Sequence, residues 1–424
     1  MDKKSPIKVI FTMFMFVFLS CGKEEKSGIV KEYERNSAVT ITFISSKAID
    51  SDIWKGEILA QDGTKIQIIE ETLEYYSNDG KESYREILKK RLENNTKIDL
   101  YLIQAEDVIE FESKNWWLDL SNLKTISDLS EDVLIQSTYR GKVFSIPLSY
   151  TGFGFYWNVD MLKKYKLEVP KNRDEFLKVC KILKEKGITP YIGSRDFALT
   201  VPTMAAGFYD LYNDKNSEDK LKKLSDGSIP VSTYMLKGFE FLEMMREEKF
   251  LDTEQSLATS RKAETMREFF AEKGAFMCMY ISDELEAAPF EMKLTGIPVL
   301  KDGEITIVGA DQRIAINPNS KNLKYAVEAL EFITNKNNML IIAKDQKKIA
   351  AVKSQESYFD KEYKEFVGLV QSKYQIPNQD FRMSFNTWIN IRELSKEILG
   401  GRDAKWAAEE YDRIQAKEIK QWTK

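Results

Sequence analysis

The chain has 424 residues, a formal net charge of −4 and no histidine. Its length exceeds that of one hydrophobic core, so we expect two lobes. The weakly acidic balance disfavours a nucleic-acid partner, and the absence of histidine excludes a Ser-His-Asp triad, Cys-His catalysis and an imidazole-bound metal.

The first residues have the pattern of a bacterial targeting segment. Three lysines precede an apolar run over residues 9–19, which as a helix would span roughly 17 Å against a hydrocarbon core of about 30 Å. The run ends in Phe18-Leu19-Ser20-Cys21, which resembles a lipoprotein cleavage site. We expect a signal peptide over residues 1–20, an acylated Cys21 and a polar tether over residues 21–37, with an ordinary signal peptide or an uncleaved anchor as alternatives.

Predicted strands and helices alternate after this segment. Residues 39–44 alternate with a period of two, residues 65–69 predict a second strand, and residues 98–103 are almost continuously apolar. The helix before the third strand has its apolar side chains at Tyr84, Ile87, Leu88 and Leu92. Such units predict a mainly parallel sheet with helices on both faces, whose ligands lie beyond the carboxyl ends of the strands. The polar segments at these ends are residues 45–47, 70–71 and 104–107.

Residues 141–158 carry the strongest functional signal in the sequence. They predict a strand that is interrupted at Pro147 and then continues through several aromatic residues to a helix starting near Val159. A proline cannot donate to a sheet, and Gly152 and Gly154 allow the backbone to pass close to a bulky neighbour. This pattern is typical of a strand that crosses between two lobes.

A capped helix is predicted directly after this segment. Asn172 and Glu175 form a capping box at its start, and Gly187 closes it. Together, residues 141–194 resemble a segment of the extracellular solute-binding proteins of the carbohydrate type, which deliver ligands to ABC importers.

Two later blocks resemble the same family, and they occur in the family's order. Residues 272–283 resemble one block, although Asp283-Glu284 stands where the family often has Ser-Trp. Residues 308–322 resemble another block and precede an amphipathic helix that carries Leu323, Ala326, Val327, Leu330 and Ile333. The resemblance extends loosely to the amphipathic helix at the C-terminal end.

The two cysteines outside the targeting segment lie in predicted core positions. Cys180 falls on the apolar face of the helix after Asn172, and Cys278 falls in an apolar strand over residues 275–281. They are either two unrelated core thiols or a disulfide, and sequence does not decide between these. Neither is a credible nucleophile without a neighbouring base.

The resemblance implies an α/β fold of the two-lobed periplasmic-binding-protein class, type II. Each lobe would hold a mainly parallel sheet flanked by helices, and crossover strands would form a hinge that closes around a ligand. The crossings are expected near residues 147–152 and 307–312, with a third before the C-terminal helices. Lobe one would comprise residues 38–147 and 307–350, and lobe two residues 148–306 and 351–424.

A sugar guest needs polar partners for its hydroxyl groups and aromatic rings against its C–H faces. The candidate aromatic platforms are Trp54, Trp116, Trp117, Tyr150, Phe153, Tyr280 and Trp388. The candidate hydroxyl partners are Ser46, Gln104, Glu106, Asp107, Thr151, Asp283 and Asp311. For each aromatic residue a place in the core is the alternative, and for Glu106 and Asp107 a solvated loop or a helix cap.

The predicted function is that of a substrate-binding lipoprotein of an ABC importer in the bacterial cell envelope. It would bind a mono- or oligosaccharide between its lobes, dock on permease subunits, and need neither a cofactor nor a metal. Polyamine, polyol or sugar-phosphate binding and a surface adhesin on the same fold are the alternatives. An enzyme is a further one, because Glu106 or Asp107 could in principle form a glycosidase pair with Asp283.

Overall fold

The computed structural model describes residues 38–73, 83–94, 98–353, 359, 361–372 and 375–422, apart from the side chains of residues 283–284, 361–362 and 422. The chain divides into residues 1–36 and a compact unit of residues 37–424. The predicted signal peptide, the acylated Cys21 and the tether lie outside the described residues. Within the described ranges, no helix has both the length and the apolar character needed to span a membrane.

The described residues alternate strands and helices along most of the chain. The strands are β1 (Val39–Ser45), β2 (Ile58–Leu59), β3 (Lys65–Thr72), β4 (Leu100–Ile103), β5 (Thr138–Tyr139), β6 (Lys142–Val143), β7 (Ile146–Asn158), β8 (Tyr191–Ile192), β9 (Phe276–Tyr280), β10 (Met292–Thr295), β11 (Ile297–Leu300), β12 (Gly303–Ile316), β13 (Ile349–Ala350) and β14 (Gln375–Pro377). The α-helices are α1 (Asp52–Lys55), α2 (Tyr84–Glu93), α3 (Ala105–Phe111), α4 (Glu131–Ser137), α5 (Val159–Lys164), α6 (Arg173–Glu185), α7 (Phe197–Tyr212), α8 (Ser217–Ser225), α9 (Ser232–Glu247), α10 (Thr253–Ala258), α11 (Lys262–Phe270), α12 (Leu323–Ile333), α13 (Lys336–Asp345), α14 (Lys361–Val370), α15 (Trp388–Leu399) and α16 (Ala404–Trp422). Short 3₁₀ helices cover Glu112–Lys114, Lys124–Asp128 and Asp283–Ala287.

The local sequence patterns explain why these elements form where they do. The α6 helix buries Phe176, Val179, Cys180 and Leu183, which share one face at helical spacing. It begins where the Asn172 side chain accepts a hydrogen bond from the Glu175 N–H at 3.0 Å. It is followed by Gly187, whose φ of 75° suits glycine. The predicted helix and the positions of both its ends are confirmed, but the capping box is incomplete, because the Glu175 carboxylate accepts from the Lys171 N–H at 2.8 Å instead of from the Asn172 N–H.

Twelve of the strands form one mixed sheet, in which the main order is β2-β3-β1-β4-β12-β7-β9-β8. The β1 strand runs parallel to β3 and β4, and β8 runs parallel to β9. The β7 and β12 strands run antiparallel to each other, and they also run antiparallel to β9 and β4, respectively. The α/β class is as predicted, but antiparallel pairing has a larger share than expected because the two long strands β7 and β12 reverse the direction of the sheet.

The β7 and β12 strands connect two groups of strands. The β12 strand pairs with β14 through residues 306–308 and with β4 through residues 313–316. The β7 strand pairs with β12 in its first part and with β9 and β10 in its last part. The intervening residues of both strands lie where the sequence predicts two crossings. The lobe boundaries themselves stay a prediction.

Pro147 does not interrupt the crossing strand, contrary to the prediction from sequence. The β7 strand begins at Ile146 and runs on to Asn158, and the break lies at residues 144–145, between β6 and β7. Pro147 is the second residue of the strand and pairs with Arg313. A residue without an N–H group is tolerated at the start of a strand because it removes little from the ladder.

Gly152 and Gly154 make room for a bulky neighbour, as the sequence predicts, and that neighbour is a helix. A Cβ atom on Gly152 would lie 2.3 Å from Val370 Cγ2, and one on Gly154 would lie 2.5 Å from Phe366 Cε2. Both neighbours belong to α14, which packs on β7, β10 and β12. The bulky neighbour that the two glycines predict is therefore α14.

Cys180 and Cys278, both within the described ranges, are separate buried thiols. Burial raises the pKa of each thiol well above its usual range. Both are therefore inert core residues, as in the first alternative from the sequence, two unrelated core thiols.

Glu304 is a carboxyl group held in a half-buried position at the start of β12. Burial raises its pKa to about 7, although its side chain accepts a hydrogen bond from the Gly296 N–H at 2.9 Å. The charged groups that face it are Lys293, Glu365 and Lys171. Because the pKa is about 7 in the folded state and near 4.5 in the unfolded chain, folding favours the protonated form. Stability is therefore lost as the pH rises from about 4.5 to about 7.

We expect Glu304→Gln to stabilise the protein by about 1–3 kcal/mol at pH 8 and to have little effect at pH 4.5. Glutamine never ionises, and its side-chain oxygen can still accept the hydrogen bond from Gly296. Urea unfolding at the two pH values measures this difference, with Glu185→Gln, an exposed position on α6, as the control. An equal effect of Glu304→Gln at both pH values would show that the carboxyl group does not titrate as stated.

Candidate functional site

The polar part of the candidate site lies where β7 and β12 run side by side. Thr151 Oγ1 donates to Asp311 Oδ2 at 3.4 Å, and Lys348 Nζ lies 2.7 Å from the same oxygen. Thr151 comes from β7, Asp311 from β12, and Lys348 follows the end of α13. The side chains of Asp311 and Lys348 remain 35% and 24% exposed, so a guest can reach both.

Asp311 is held in its ionised form by its neighbours. Burial opposes ionisation, but the positive charge of Lys348 and hydrogen bonds from Lys348, the Gln312 N–H and Thr151 outweigh it and lower the pKa of Asp311. The result is an ion pair whose oxygens and ammonium group can also accept from and donate to hydroxyl groups.

An aromatic cluster lies next to this polar pair. The Phe153 ring is 5.7 Å from Tyr280, 5.5 Å from Phe197 and 5.6 Å from Trp388. Phe153 is buried, whereas Tyr280 and Trp388 keep part of their ring surface accessible. Phe153 is two residues from Thr151 on β7, so both side chains point to the same face of the strand.

Three strand and helix ends bring these rings together. Tyr280 is the last residue of β9 and pairs directly with Phe153. Phe197 and Trp388 are the first residues of α7 and α15. Lys262 Nζ lies 5.2 Å from the centre of the Tyr280 ring and donates to Ser282 Oγ at 3.2 Å. We call the whole set the crossing site; it comprises Thr151, Phe153, Phe197, Tyr280, Asp311, Lys348 and Trp388.

Tyr150 lies on the opposite face of β7 from the crossing site. It is 5% exposed, donates to Gln375 Oε1 at 2.7 Å and accepts from Gln136 Nε2 at 3.4 Å. Burial raises its pKa well above the usual range for tyrosine. Adjacent strand residues point to opposite faces, so Thr151 rather than Tyr150 belongs to the site. Tyr150 is therefore a core residue, which the sequence left open as the alternative to a ligand contact.

Asp107 caps a helix instead of facing a guest. It is 1% exposed, its Oδ2 accepts from the Gln104 N–H at 2.8 Å, and its Oδ1 lies 2.7 Å from Arg85 Nε. Burial raises its pKa to about 6, against the opposing effect of Arg85. Gln104 is exposed, and Glu106 and Ser46 are half-buried. The contacts that the structure describes do not join these residues to the crossing site.

Two of the candidate tryptophans belong to the core. Trp54 is 2% exposed and packs edge-on against Phe43 at 4.7 Å. Trp117 is 4% exposed and packs against Tyr101 at 5.8 Å. Trp116 is half-buried and contacts Phe111 at 5.1 Å. Asp283 begins a 3₁₀ helix, and its side chain lies outside the described part of the chain.

Sequence reasoning missed Phe197 and Lys348. Phe197 lies five residues beyond Ile192, the end of β8. Ligands bind beyond the carboxyl ends of strands in such sheets, so this position could have made Phe197 a candidate. No sequence pattern marks Lys348 as a site residue, because a lysine after a charged helix is expected to be solvated.

Two grooves elsewhere offer a poorer match to a sugar. A groove of about 250 Å³ is lined by Leu59, Gln61, Lys124, Thr125, Asp128, Glu328, Glu331, Phe332 and Asn335. A second of about 620 Å³ is lined by Arg140, Glu218, Leu221, Lys222, Ser225, Asp226, Arg382, Ser384 and Ile419. Neither brings several aromatic rings beside a polar pair, as the crossing site does. Among the residues that the structure describes, no cluster of three acidic or cysteine side chains could hold a metal.

Comparison with known sequences gives a match over most of the chain. The model of the family described as bacterial extracellular solute-binding protein matches residues 63–339. The melibiose/raffinose/stachyose-binding protein MelE of Bacillus subtilis (strain 168) is 23% identical over 352 residues, which cover 79% of this chain and 78% of that protein.

Solved structures share the fold. A family 1 extracellular solute-binding protein from Bifidobacterium longum subsp. infantis superposes with a TM-score of 0.68 at 16% identity, covering 90% of this chain and 100% of that one. A sugar transporter from Bacillus licheniformis in complex with stachyose superposes with a TM-score of 0.60 at 20% identity, covering 88% and 98%. At these identities the structural likeness concerns the fold alone.

Proposed function

Because the chain belongs to the bacterial extracellular solute-binding protein family, we propose that it captures a neutral oligosaccharide at the crossing site and passes it unaltered to an ABC importer. Membership of this family of binding proteins confirms two predictions from the sequence: the family itself, and that the protein is not an enzyme.

The observation that carries this proposal is the composition of one face of the crossing strands. Phe153, Tyr280 and Trp388 offer apolar ring surface, and the Asp311–Lys348 pair offers hydrogen-bonding groups beside it. A sugar ring has the complementary surface, since its C–H faces can cover aromatic rings while its hydroxyl groups meet charged partners. Burying the C–H faces contributes roughly 25 cal/mol for each Å² removed from water.

An oligosaccharide fits this face better than a single sugar. The two accessible rings, on Tyr280 and Trp388, flank Phe153 on different elements, so they can meet more than one sugar unit. The names of the relatives agree with this size, because MelE is described as binding melibiose, raffinose and stachyose, and the Bacillus licheniformis structure contains stachyose. We propose the same class of guest here.

A polyamine is a weaker candidate for this site. An ammonium guest would need a carboxylate, and Asp311 is already paired with Lys348 at 2.7 Å. Lys262 places a second positive charge over the Tyr280 ring, where a cationic guest would otherwise stack. These charges favour a neutral guest.

Capture by hinge closure follows from the proposed lobes, with residues 38–147 and 307–350 in lobe one and residues 148–306 and 351–424 in lobe two. The packing of the helices supports this division. The α12 helix packs on β1 and α13 packs on α1, whereas α15 packs on α7 and α9, and α16 packs on α9. The β7 and β12 strands would then act as the hinge.

We also propose that Cys21 anchors the protein by an attached lipid in the cell envelope. The support is the sequence around residue 21, with its short apolar run and small residues before the cysteine. An anchored protein would present its guest to the permease subunits of the importer at the same membrane.

Thermal unfolding in the presence of candidate ligands tests the proposed guest. The panel contains melibiose, raffinose, stachyose, sorbitol, glucose 6-phosphate and spermidine. A ligand at 100 times its Kd adds about 2.7 kcal/mol to the stability of the native state and raises the Tm. We expect at least one of the neutral oligosaccharides to do so. A rise in Tm with spermidine alone would contradict the proposal. No rise in Tm with any member of the panel would contradict it as well.

A further inference from the structure

Two adjacent lysines after helix α13 contact carboxylates on different parts of the fold. Lys348 Nζ lies 2.7 Å from Asp311 Oδ2, on β12. Lys347 pairs with the carboxylate of Glu286, in the 3₁₀ helix Asp283–Ala287. The backbone turns sharply at this point, since Lys347 has a φ of 49° and its N–H donates to the Lys344 carbonyl oxygen at 3.1 Å. The turn allows neighbouring side chains to reach separate targets.

The Lys347–Glu286 pair joins the two proposed lobes. Lys347 lies in lobe one, where α13 packs on α1 and α12. Glu286 lies between β9 and β10, and both strands pair with the last part of β7, in lobe two. The ion pair therefore links residues that the proposed boundaries assign to different lobes.

The pair also lies close to the crossing site. Lys347 directly precedes Lys348, whose ammonium group contacts Asp311. Glu286 lies six residues after Tyr280, one of the accessible rings. A change in the distance between the lobes would therefore separate Lys347 from Glu286 at the edge of the site, while Lys348 would stay with β12.

We propose that Lys347 and Glu286 form a latch that holds the two lobes closed over the guest. The inference rests on the proposed function, because it needs two lobes that close around a ligand. Neither side chain has to touch the guest, so both are positioning residues. Their effect is an equilibrium effect: a contact that exists only in the closed form raises the population of that form and so the apparent affinity.

The expected size follows from the exposure of the two groups. The side chains of Lys347 and Glu286 are 49% and 56% exposed, so water and salt screen the attraction. Exposed pairs of this kind correspond to changes of about two- to fivefold in an equilibrium constant. A stronger effect would require a buried pair.

Reversal of the two charges tests the latch. Lys347→Glu and Glu286→Lys each place two like charges together, and the double variant restores the attraction with the signs exchanged. We expect each single variant to have a larger radius of gyration without ligand, measured by small-angle X-ray scattering. We expect calorimetry with stachyose to show an affinity about two- to fivefold weaker for each. The double variant should return both values to those of the original protein.

Lys163 and Glu291 provide a matched control. They form an ion pair of similar exposure, 60% and 58%, and both belong to lobe two. Lys163→Glu and Glu291→Lys, each made alone, should leave the radius of gyration and the stachyose affinity unchanged. The melting temperature of every variant shows whether it is folded.

The scattering measurement needs no ligand, so it separates this inference from the proposed function. If stachyose and the other sugars do not bind the original protein, the proposed function fails. The radii of gyration of the variants without ligand then still show whether the Lys347–Glu286 pair holds the lobes together. Unchanged radii in both single variants would overturn the latch. Single variants that are affected but not restored by the double variant would also overturn it, because the effect would then not come from the pair.

Discussion

Trp388→Ala is expected to weaken the affinity for the oligosaccharide by about 30- to 150-fold, which corresponds to about 2–3 kcal/mol. The half-buried Trp388 ring lies 5.6 Å from Phe153, and we expect its accessible surface to lie against the bound sugar. Covering roughly 100 Å² of apolar surface at about 25 cal/mol for each Å² gives a value of this size. Alanine removes that surface while leaving the N-terminal turn of α15 in place.

Isothermal titration calorimetry of the original protein and of Trp388→Ala measures the effect. Trp406→Ala is the control, since Trp406 is also half-buried, on α16, but its ring centre lies 4.7 Å from the Arg402 guanidinium carbon and not in the crossing site. Both substitutions should lower the melting temperature by a few degrees. Only Trp388→Ala should change the affinity, and equal affinities in the two variants would remove Trp388 from the site.

Gly154→Ala is expected to destabilise the fold by at least about 3 kcal/mol. A Cβ atom at this position would lie 2.1 Å from the Thr295 carbonyl oxygen and 2.5 Å from Phe366 Cε2. The Thr295 backbone cannot retreat easily, because Thr295 pairs with Phe155 in the ladder between β10 and β7. The overlap therefore has to be relieved by moving the crossing strand itself.

Urea unfolding measures this loss, and Gly303→Ala provides the comparison. Gly303 lies at the start of β12, and a Cβ atom there would meet no atom within 4 Å. We expect that variant to change the free energy of unfolding by less than about 1 kcal/mol. A similarly small change for Gly154→Ala would mean that β10 and α14 do not lie as close to Gly154 as these distances indicate.

Short-range patterns in the sequence predicted the elements well because they depend on local chemistry. The N-cap at Asn172, the closing Gly187 and the apolar face of α12 are each set by neighbours within one or two turns. The small residues at Gly152 and Gly154 likewise implied a close neighbour, although not that it would be α14. Membership of the solute-binding family then supplied the fold.

The membership of the site was harder to predict, because it depends on which face of a strand meets the guest. Tyr150 and Thr151 are adjacent in β7, and a period of two puts them on opposite faces without saying which face is which. The structure puts Thr151 beside Asp311 and Tyr150 beside Gln375. The contact between Lys348 and Asp311 spans 37 residues of sequence and depends on the backbone turn at Lys347. No local pattern encodes such a contact.

The crystal structure of the protein with its best oligosaccharide from the thermal panel is the most direct test of capture at the crossing site. We expect an intact sugar with one ring against Trp388 or Tyr280 and with hydroxyl groups hydrogen-bonded to Asp311 or Lys348. A sugar bound in another groove, such as the one lined by Arg140 and Arg382, or a hydrolysed sugar at the crossing site, would contradict it.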